Sequence, residues 1–85
     1  MKQSPKILHY NLFLQPEPEG GFTVIVPSLP GCVTYGRTIA EAKNMARDAI
    51  SAYLGSLKKH GENVPTDTNA FMSTVDVAVG EHAYA

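Results

Sequence analysis

The chain has 85 residues, a formal net charge of −1 and one cysteine, Cys32. A chain this short forms one small domain with a thin core, and its near-neutral charge lacks the basic face that non-specific binding to nucleic acid needs. The lone cysteine excludes an internal disulfide, and neither an apolar run of about 20 residues nor a signal peptide occurs, so we expect no membrane association and a cytoplasmic location.

The first half of the chain predicts three short strands in an antiparallel meander. Apolar and polar side chains alternate over residues 7–15, which is typical of a half-buried strand, and residues 16–21 have the composition of a turn. A second strand follows at residues 22–26. A bend rich in proline and glycine separates it from a third strand, in which Val33 and Tyr35 share one face. The inward apolar residues of the first two strands are Leu8, Tyr10, Leu12, Leu14, Phe22, Val24 and Val26.

From Ile39 onward the apolar spacing changes to steps of three and four residues, which predicts one amphipathic helix. Thr38 followed by Glu41 predicts a capping box at its start, and Gly61 predicts its end. Gly55, inside the helix, costs about 1 kcal/mol relative to alanine, so we expect it to admit a close backbone approach. The apolar stripe consists of Ile39, Ala42, Ala46, Ala49, Ile50, Tyr53, Leu54 and Leu57.

Residues 71–79 predict a fourth strand, which completes a β-β-β-α-β domain of the α+β class with its core at about residues 7–79 of the single domain 1–85. One helix covers one face of the sheet and leaves the other face open. An apolar set on the open face of a small protein indicates a partner surface, for a second copy, for a different protein, or for both. The members of this predicted oligomer face are Ile7, Phe13, Ile25 and Met72.

The sequence contains no recognisable catalytic or ligand-binding pattern. No histidine or cysteine pair has the spacing of metal ligands, and the glycines form no phosphate-binding loop. A nucleophilic Cys32 needs an electropositive neighbourhood that the sequence does not indicate, so a packing role is the simpler interpretation. The predicted strands also lack the converging carboxylates of a metal-dependent nuclease. We therefore expect no catalytic residues, no metal and no cofactor, and we expect that the protein is not an enzyme.

The segment from Gly20 to Leu57 resembles the HicB family of type II antitoxins. A Gly-Gly-aromatic turn leads into a strand that ends in proline, and the bend Leu29–Cys32 follows it. The element at residues 61–65 fits as well, so the resemblance covers about residues 7–68. The residues that lead into and form the helix are Thr34, Gly36, Thr38, Glu41, Ala42, Ala49, Ile50, Tyr53 and Leu54.

The resemblance implies a partial RNase H-like fold in a cytosolic prokaryotic protein. It also implies that the protein binds and sterically neutralises a HicA-like mRNA interferase, a small ribonuclease related to double-stranded-RNA-binding domains. Many family members continue into a C-terminal helix-turn-helix or ribbon-helix-helix module. This sequence ends at Ala85, soon after the last predicted strand, so we expect no C-terminal DNA-binding domain and no DNA binding through this chain alone.

Two other hypotheses stay open beside the antitoxin. One is a stand-alone oligomeric HicB-like domain with another binding or regulatory role, and we expect a homodimer or higher oligomer under either hypothesis. The other is an RNA- or nucleotide-processing enzyme whose site forms between subunits. The candidate toxin contacts are acidic, because a basic RNA-binding partner attracts carboxylates, although ordinary solvated loop charges explain the same residues. These candidates are Glu17, Glu19, Glu62 and Asp67.

Overall fold

The computed structural model describes residues 7–80, in which three strands and one helix form. Strands β1 (Phe13–Pro16), β2 (Phe22–Ile25) and β3 (Val33–Gly36) pair antiparallel in the order β1-β2-β3, and helix α1 (Ile39–Lys59) follows them. The α+β class, the antiparallel meander and the single helix are therefore confirmed. The comparison with RNase H stays a prediction.

Strand β1 is shorter than the strand predicted at residues 7–15, although the alternation of its side chains is as expected. Leu8, Tyr10, Leu12 and Leu14 are half-buried, whereas Phe13 is exposed. The chain opposite residues 7–12 is the bend that follows β2, which contains two prolines. Proline has no N–H to donate, so the ladder between the first two strands does not extend in that direction.

The pairing register decides which residues lie under the helix. Leu14, Val24 and Thr34 are Cα partners across the three strands, and Val24 packs against Ala42 and Ala46 of α1. The small alanine side chains let the helix lie close to the sheet. A second buried cluster lies in the bend below the later turns of α1, and it consists of Val26, Leu29 and Cys32.

Both predicted caps of α1 form, but one hydrogen bond of the N-terminal cap has a different donor from the one predicted. The Thr38 hydroxyl oxygen accepts a hydrogen bond from the Glu41 N–H at 3.0 Å. The Glu41 carboxylate accepts from the N–H of Arg37, at 2.8 Å, rather than from that of Thr38 as a reciprocal capping box requires. At the other end Gly61 has a φ of 69°, the left-handed conformation of a helix stop. Ile39, predicted in the apolar stripe, is 57% exposed because it begins the helix beyond the edge of the core.

The fourth strand predicted at residues 71–79 does not form among the described residues 7–80. The segment pairs with none of the three strands, and all of its residues are exposed. A strand needs a neighbouring edge to satisfy its N–H and C=O groups, and the described part of one chain does not bring an edge to this segment. We call residues 71–79 the C-terminal arm. No helix between residues 7 and 80 combines the length and the apolar character that crossing a membrane requires.

Candidate functional site

The first acidic candidates lie in the hairpin turn between β1 and β2. The turn is held by the Gly20 N–H donating to the Glu17 carbonyl and the Glu17 N–H donating to the Gly21 carbonyl, both at 2.9 Å. The Glu17 carboxylate accepts from the Thr23 hydroxyl at 2.6 Å, so this side chain is half-engaged by its own hairpin. Glu19 lies at the tip of the turn and is exposed. Glu19 is therefore the carboxylate of this pair that is more accessible to a partner.

Glycine is required at the base of this turn. Gly21 has a φ of 79°, and a Cβ added there would lie 2.1 Å from the hydroxyl oxygen of Tyr35. The same hydroxyl donates to the Gly20 carbonyl at 2.9 Å. Strand β3 therefore fixes the turn that carries the first acidic pair.

Asp67, the fourth acidic candidate, is buried rather than free to meet a partner. It is 4% exposed, and its carboxylate accepts from the Asn11 N–H at 2.8 Å and from the Ser28 hydroxyl. Its own N–H donates to the His9 carbonyl at 3.0 Å. The hydrogen bond from Ser28 is the main cause that lowers the pKa of Asp67, followed by the bond from Asn11, so the group is held as a carboxylate. Asp67 ties three segments of the fold together.

The acidic candidates fall into two groups at opposite ends of the molecule. The turn at residues 17–21 lies at the end of the sheet where β3 leads into α1, since Pro16, Phe22 and Gly36 are Cα partners there. Glu62 follows the far end of α1, a helix of 21 residues that is about 30 Å long. Glu62 is exposed, and its N–H donates to the Leu57 carbonyl at 2.9 Å. One compact contact is therefore not expected to cover both groups.

The open face of the sheet carries a row of apolar side chains. Phe13, Ile25 and Val33 are Cα partners across the three strands, and they are 45%, 36% and 56% exposed. Tyr35 lies on the same face and is 47% exposed. The apolar alternation predicted Phe13 and Ile25 on this face, which is confirmed, whereas the orientation of Val33 and Tyr35 follows only from the register of β3.

The other two residues predicted for the oligomer face lie elsewhere. Ile7 is 90% exposed and precedes β1, beside an apolar groove between residues 7–12 and α1. Met72 is 52% exposed and belongs to the C-terminal arm. We call the groove between residues 7–12 and α1 the α1 groove. Its apolar wall consists of Leu8, Tyr10, Leu12, Ala46, Ile50 and Leu54.

The described residues provide few side chains for acid–base catalysis or metal binding. Among residues 7–80, no three His, Cys, Asp or Glu side chains gather where they could hold a metal ion. Cys32 is 6% exposed and packs with Val26 and Leu29, and burial raises the pKa of its thiol. Because the thiolate is the reactive form of cysteine, this position favours packing over nucleophilic chemistry.

Comparison with known proteins agrees with the sequence resemblance. A family model described as a HicB-like antitoxin of a bacterial toxin–antitoxin system matches residues 10–84. A UPF0150 protein of Thermoplasma acidophilum is 43% identical over 60 residues, which cover 71% of this chain and 87% of that protein. A UPF0150 protein of Synechocystis is 35% identical over 68 residues, covering 79% and 86%. Antitoxin HicB of Escherichia coli K12 is 34% identical over 58 residues, covering 68% of this chain and 42% of that protein.

Proposed function

The chain belongs to the HicB-like antitoxin family, and we propose that it is the antitoxin of a type II toxin–antitoxin pair, acting in the cytoplasm on a small HicA-like mRNA interferase. The family match over residues 10–84 carries this proposal. Membership in an antitoxin family implies a toxin partner in general and suggests a non-catalytic protein. The proposed inhibition is steric and stoichiometric, since covering a toxin needs a complementary surface and no reactive group.

The surfaces described above support a contact of this kind. A ribonuclease that binds RNA is basic at its active face, and exposed carboxylates steer such a partner toward the antitoxin. We propose Glu17 and Glu19 at one end, and Glu62 at the other, as the alternative acidic contacts. Asp67 takes a positioning role in this proposal because its carboxylate is already bound within the chain.

The first experiment is co-expression with the small open reading frame next to this gene. We expect that the neighbouring product alone arrests growth, and that this chain restores growth and co-purifies with it. If the neighbouring product is harmless, or is toxic without binding this chain, the antitoxin proposal is wrong.

Charge reversal identifies the end of the molecule that meets the toxin. We expect either Glu19→Lys or Glu62→Lys, but not both, to weaken toxin binding about tenfold and to reduce its salt dependence, because one compact partner covers one acidic group. Asp48→Lys is the matched control, since Asp48 is an exposed acid on the helix face away from both groups. Binding is measured by calorimetry at two salt concentrations. Equal losses in all three variants would mean that net charge, and no particular contact, attracts the toxin.

A second candidate function is a stand-alone oligomeric domain with another binding or regulatory role. The apolar row on the open sheet face favours it, because large exposed apolar patches on small proteins mark interaction sites. Under this hypothesis Phe13→Glu lowers the oligomeric state, whereas Ala52→Glu at an exposed position of α1 leaves it unchanged. A mass by light scattering that is unchanged in Phe13→Glu would contradict self-association through this face.

A further inference from the structure

The C-terminal arm has the sequence of a strand but lies outside the sheet. Its alternate residues Phe71, Val75 and Val77 are 88%, 83% and 74% exposed, although their spacing is that of a half-buried strand. An extended segment with unpaired backbone groups and one apolar side is suited to adding to a free sheet edge.

A free edge with an apolar surface beside it lies at the other side of the fold. One edge of β1 pairs with β2, and the other, outer edge is free among the described residues. Helix α1 packs mainly on β3 and β2, so it leaves the space beside the outer edge of β1 open. The α1 groove lies there. It offers apolar side chains from the helix and from residues 7–12 without a covering strand from the described part of the same chain.

Gly55 gives a second reason to expect a strand in this groove. It lines a second depression at the end of α1, which adjoins the α1 groove at Leu8 and Leu54, and a Cβ added to it would meet nothing within 4 Å. Glycine in a helix interior weakens the helix, and no backbone among residues 7–80 makes the expected close approach to Gly55. A backbone arriving from outside accounts for it.

The start of the arm is fixed next to the same edge. Asp67 is bound to His9 and Asn11, which lie just before β1, and the Ala70 N–H donates to the Asp67 carbonyl at 3.1 Å. This turn sends the following residues away from their own sheet. In the described part of each copy the arm and the groove are both uncovered, and two copies related by a two-fold axis can satisfy both at once.

Charge does not oppose this contact. Lys43 and Arg47 line the α1 groove, and the one charged residue within residues 71–79 is Asp76. Asp76 lies on the side of the strand opposite Val75 and Val77, so the apolar side of the arm brings no like charge to the groove and buries no acid there.

We propose that the C-terminal arm of a second copy pairs with the outer edge of β1 and buries its apolar side in the α1 groove, in a reciprocal exchange that makes the protein a dimer. The side buried consists of Phe71, Val75, Val77 and Val79. The exchange supplies the fourth strand of each sheet from the other copy. This inference concerns the purified chain alone and does not depend on the toxin.

Light scattering on the purified full chain, with matched charge insertions on the two sides of the arm, tests the exchange. We expect the wild type to have twice the mass of one 9.2 kDa chain. Val75→Lys with Val77→Lys is expected to raise the dissociation constant at least about 100-fold and to give monomers. Thr74→Lys with Ala78→Lys adds the same charge on the opposite side of the strand and is expected to leave the dimer intact. All four positions are exposed in the single chain, so neither pair should unfold it.

A second pair of variants tests the groove. Gly55→Leu fills the depression that adjoins the α1 groove while improving helix propensity, so it should weaken the dimer about tenfold without lowering helix content. Ala52→Leu, at an exposed helix position outside the groove, is the control and should leave the dimer unchanged. Circular dichroism of both variants checks that neither substitution lowers the helix content.

Three results overturn the proposal. A monomeric wild type does so, whether its arm is free or folded back onto its own sheet. A dimer that survives Val75→Lys with Val77→Lys places the interface elsewhere, the open sheet face being one such place. An equal effect of the two lysine pairs shows that the arm does not enter the groove by its apolar side.

Discussion

Replacing Gly36 by alanine is expected to destabilise the domain by about 3 kcal/mol or more, which is a large part of the stability of a domain this small. Gly36 is buried at the end of β3, where α1 crosses it. A Cβ there would lie 2.3 Å from the backbone nitrogen of Ala42 and 2.4 Å from its Cα. These atoms belong to the helix backbone and cannot rotate away, so α1 must move off the sheet and uncover Val24.

The measurement is urea unfolding followed by circular dichroism, made on chains that also carry Val75→Lys and Val77→Lys so that dimer formation does not contribute. Gly55→Ala is the matched control, because it adds the same methyl group where nothing lies within 4 Å. It is expected to stabilise the helix by about 1 kcal/mol. A Gly36→Ala protein within about 0.5 kcal/mol of its parent would show that the helix is not held as close to β3 as described.

The second large effect is expected for Asp67→Ala, a loss of about 3 kcal/mol. The substitution leaves the half-buried Asn11 N–H and Ser28 hydroxyl without their acceptor. It also releases the segment after α1 from the bend below the helix. Asp67→Asn keeps the shape and one acceptor oxygen, so a loss of about 1 kcal/mol is expected, and Asp48→Ala on the exposed helix face should change stability by less than about 0.5 kcal/mol.

The same carboxylate makes stability depend on pH. Its hydrogen bonds, first from Ser28 and then from Asn11, lower the pKa of Asp67 in the folded chain. A lowered pKa means that the ionised group favours folding, so its contribution is complete above the ordinary carboxyl pKa of about 3.9 and is lost as the pH falls from there through the lower folded value. Urea midpoints measured from pH 6 down to pH 2 should fall less steeply for Asp67→Asn than for the wild type. Parallel curves would contradict a charged Asp67 in the fold.

The sequence could not distinguish Asp67 from the exposed acids. Glu62 and Asp67 lie in one polar segment after the helix, and both fit a solvated loop. The partners of Asp67 are 56 and 39 residues away in the chain, at Asn11 and Ser28. No local pattern encodes such a contact, so only the tertiary structure separates a buried acid from a partner-facing one.

The open sheet face was predictable in part. Alternation along residues 7–15 already assigns Phe13 to the side away from Leu12 and Leu14. The third strand is too short and too mixed for this reasoning, because Thr34 and Gly36 are not apolar and still face the helix. Their inward position follows from pairing with β2 and from the close approach of α1 to Gly36, which together turn Val33 and Tyr35 outward.

The sequence by itself determined the elements of this protein that local chemistry controls. These are the turn at Gly20 and Gly21, the cap at Thr38, the helix stop at Gly61, the helical spacing of the stripe, and the family to which the whole pattern belongs. The tertiary structure alone decided where β1 begins, what Asp67 binds, and that residues 71–79 pair with no strand among residues 7–80. The physical reason is that capping and turn formation involve neighbours within a few residues, whereas strand pairing and burial depend on groups that only the folded chain, or a second copy of it, brings together.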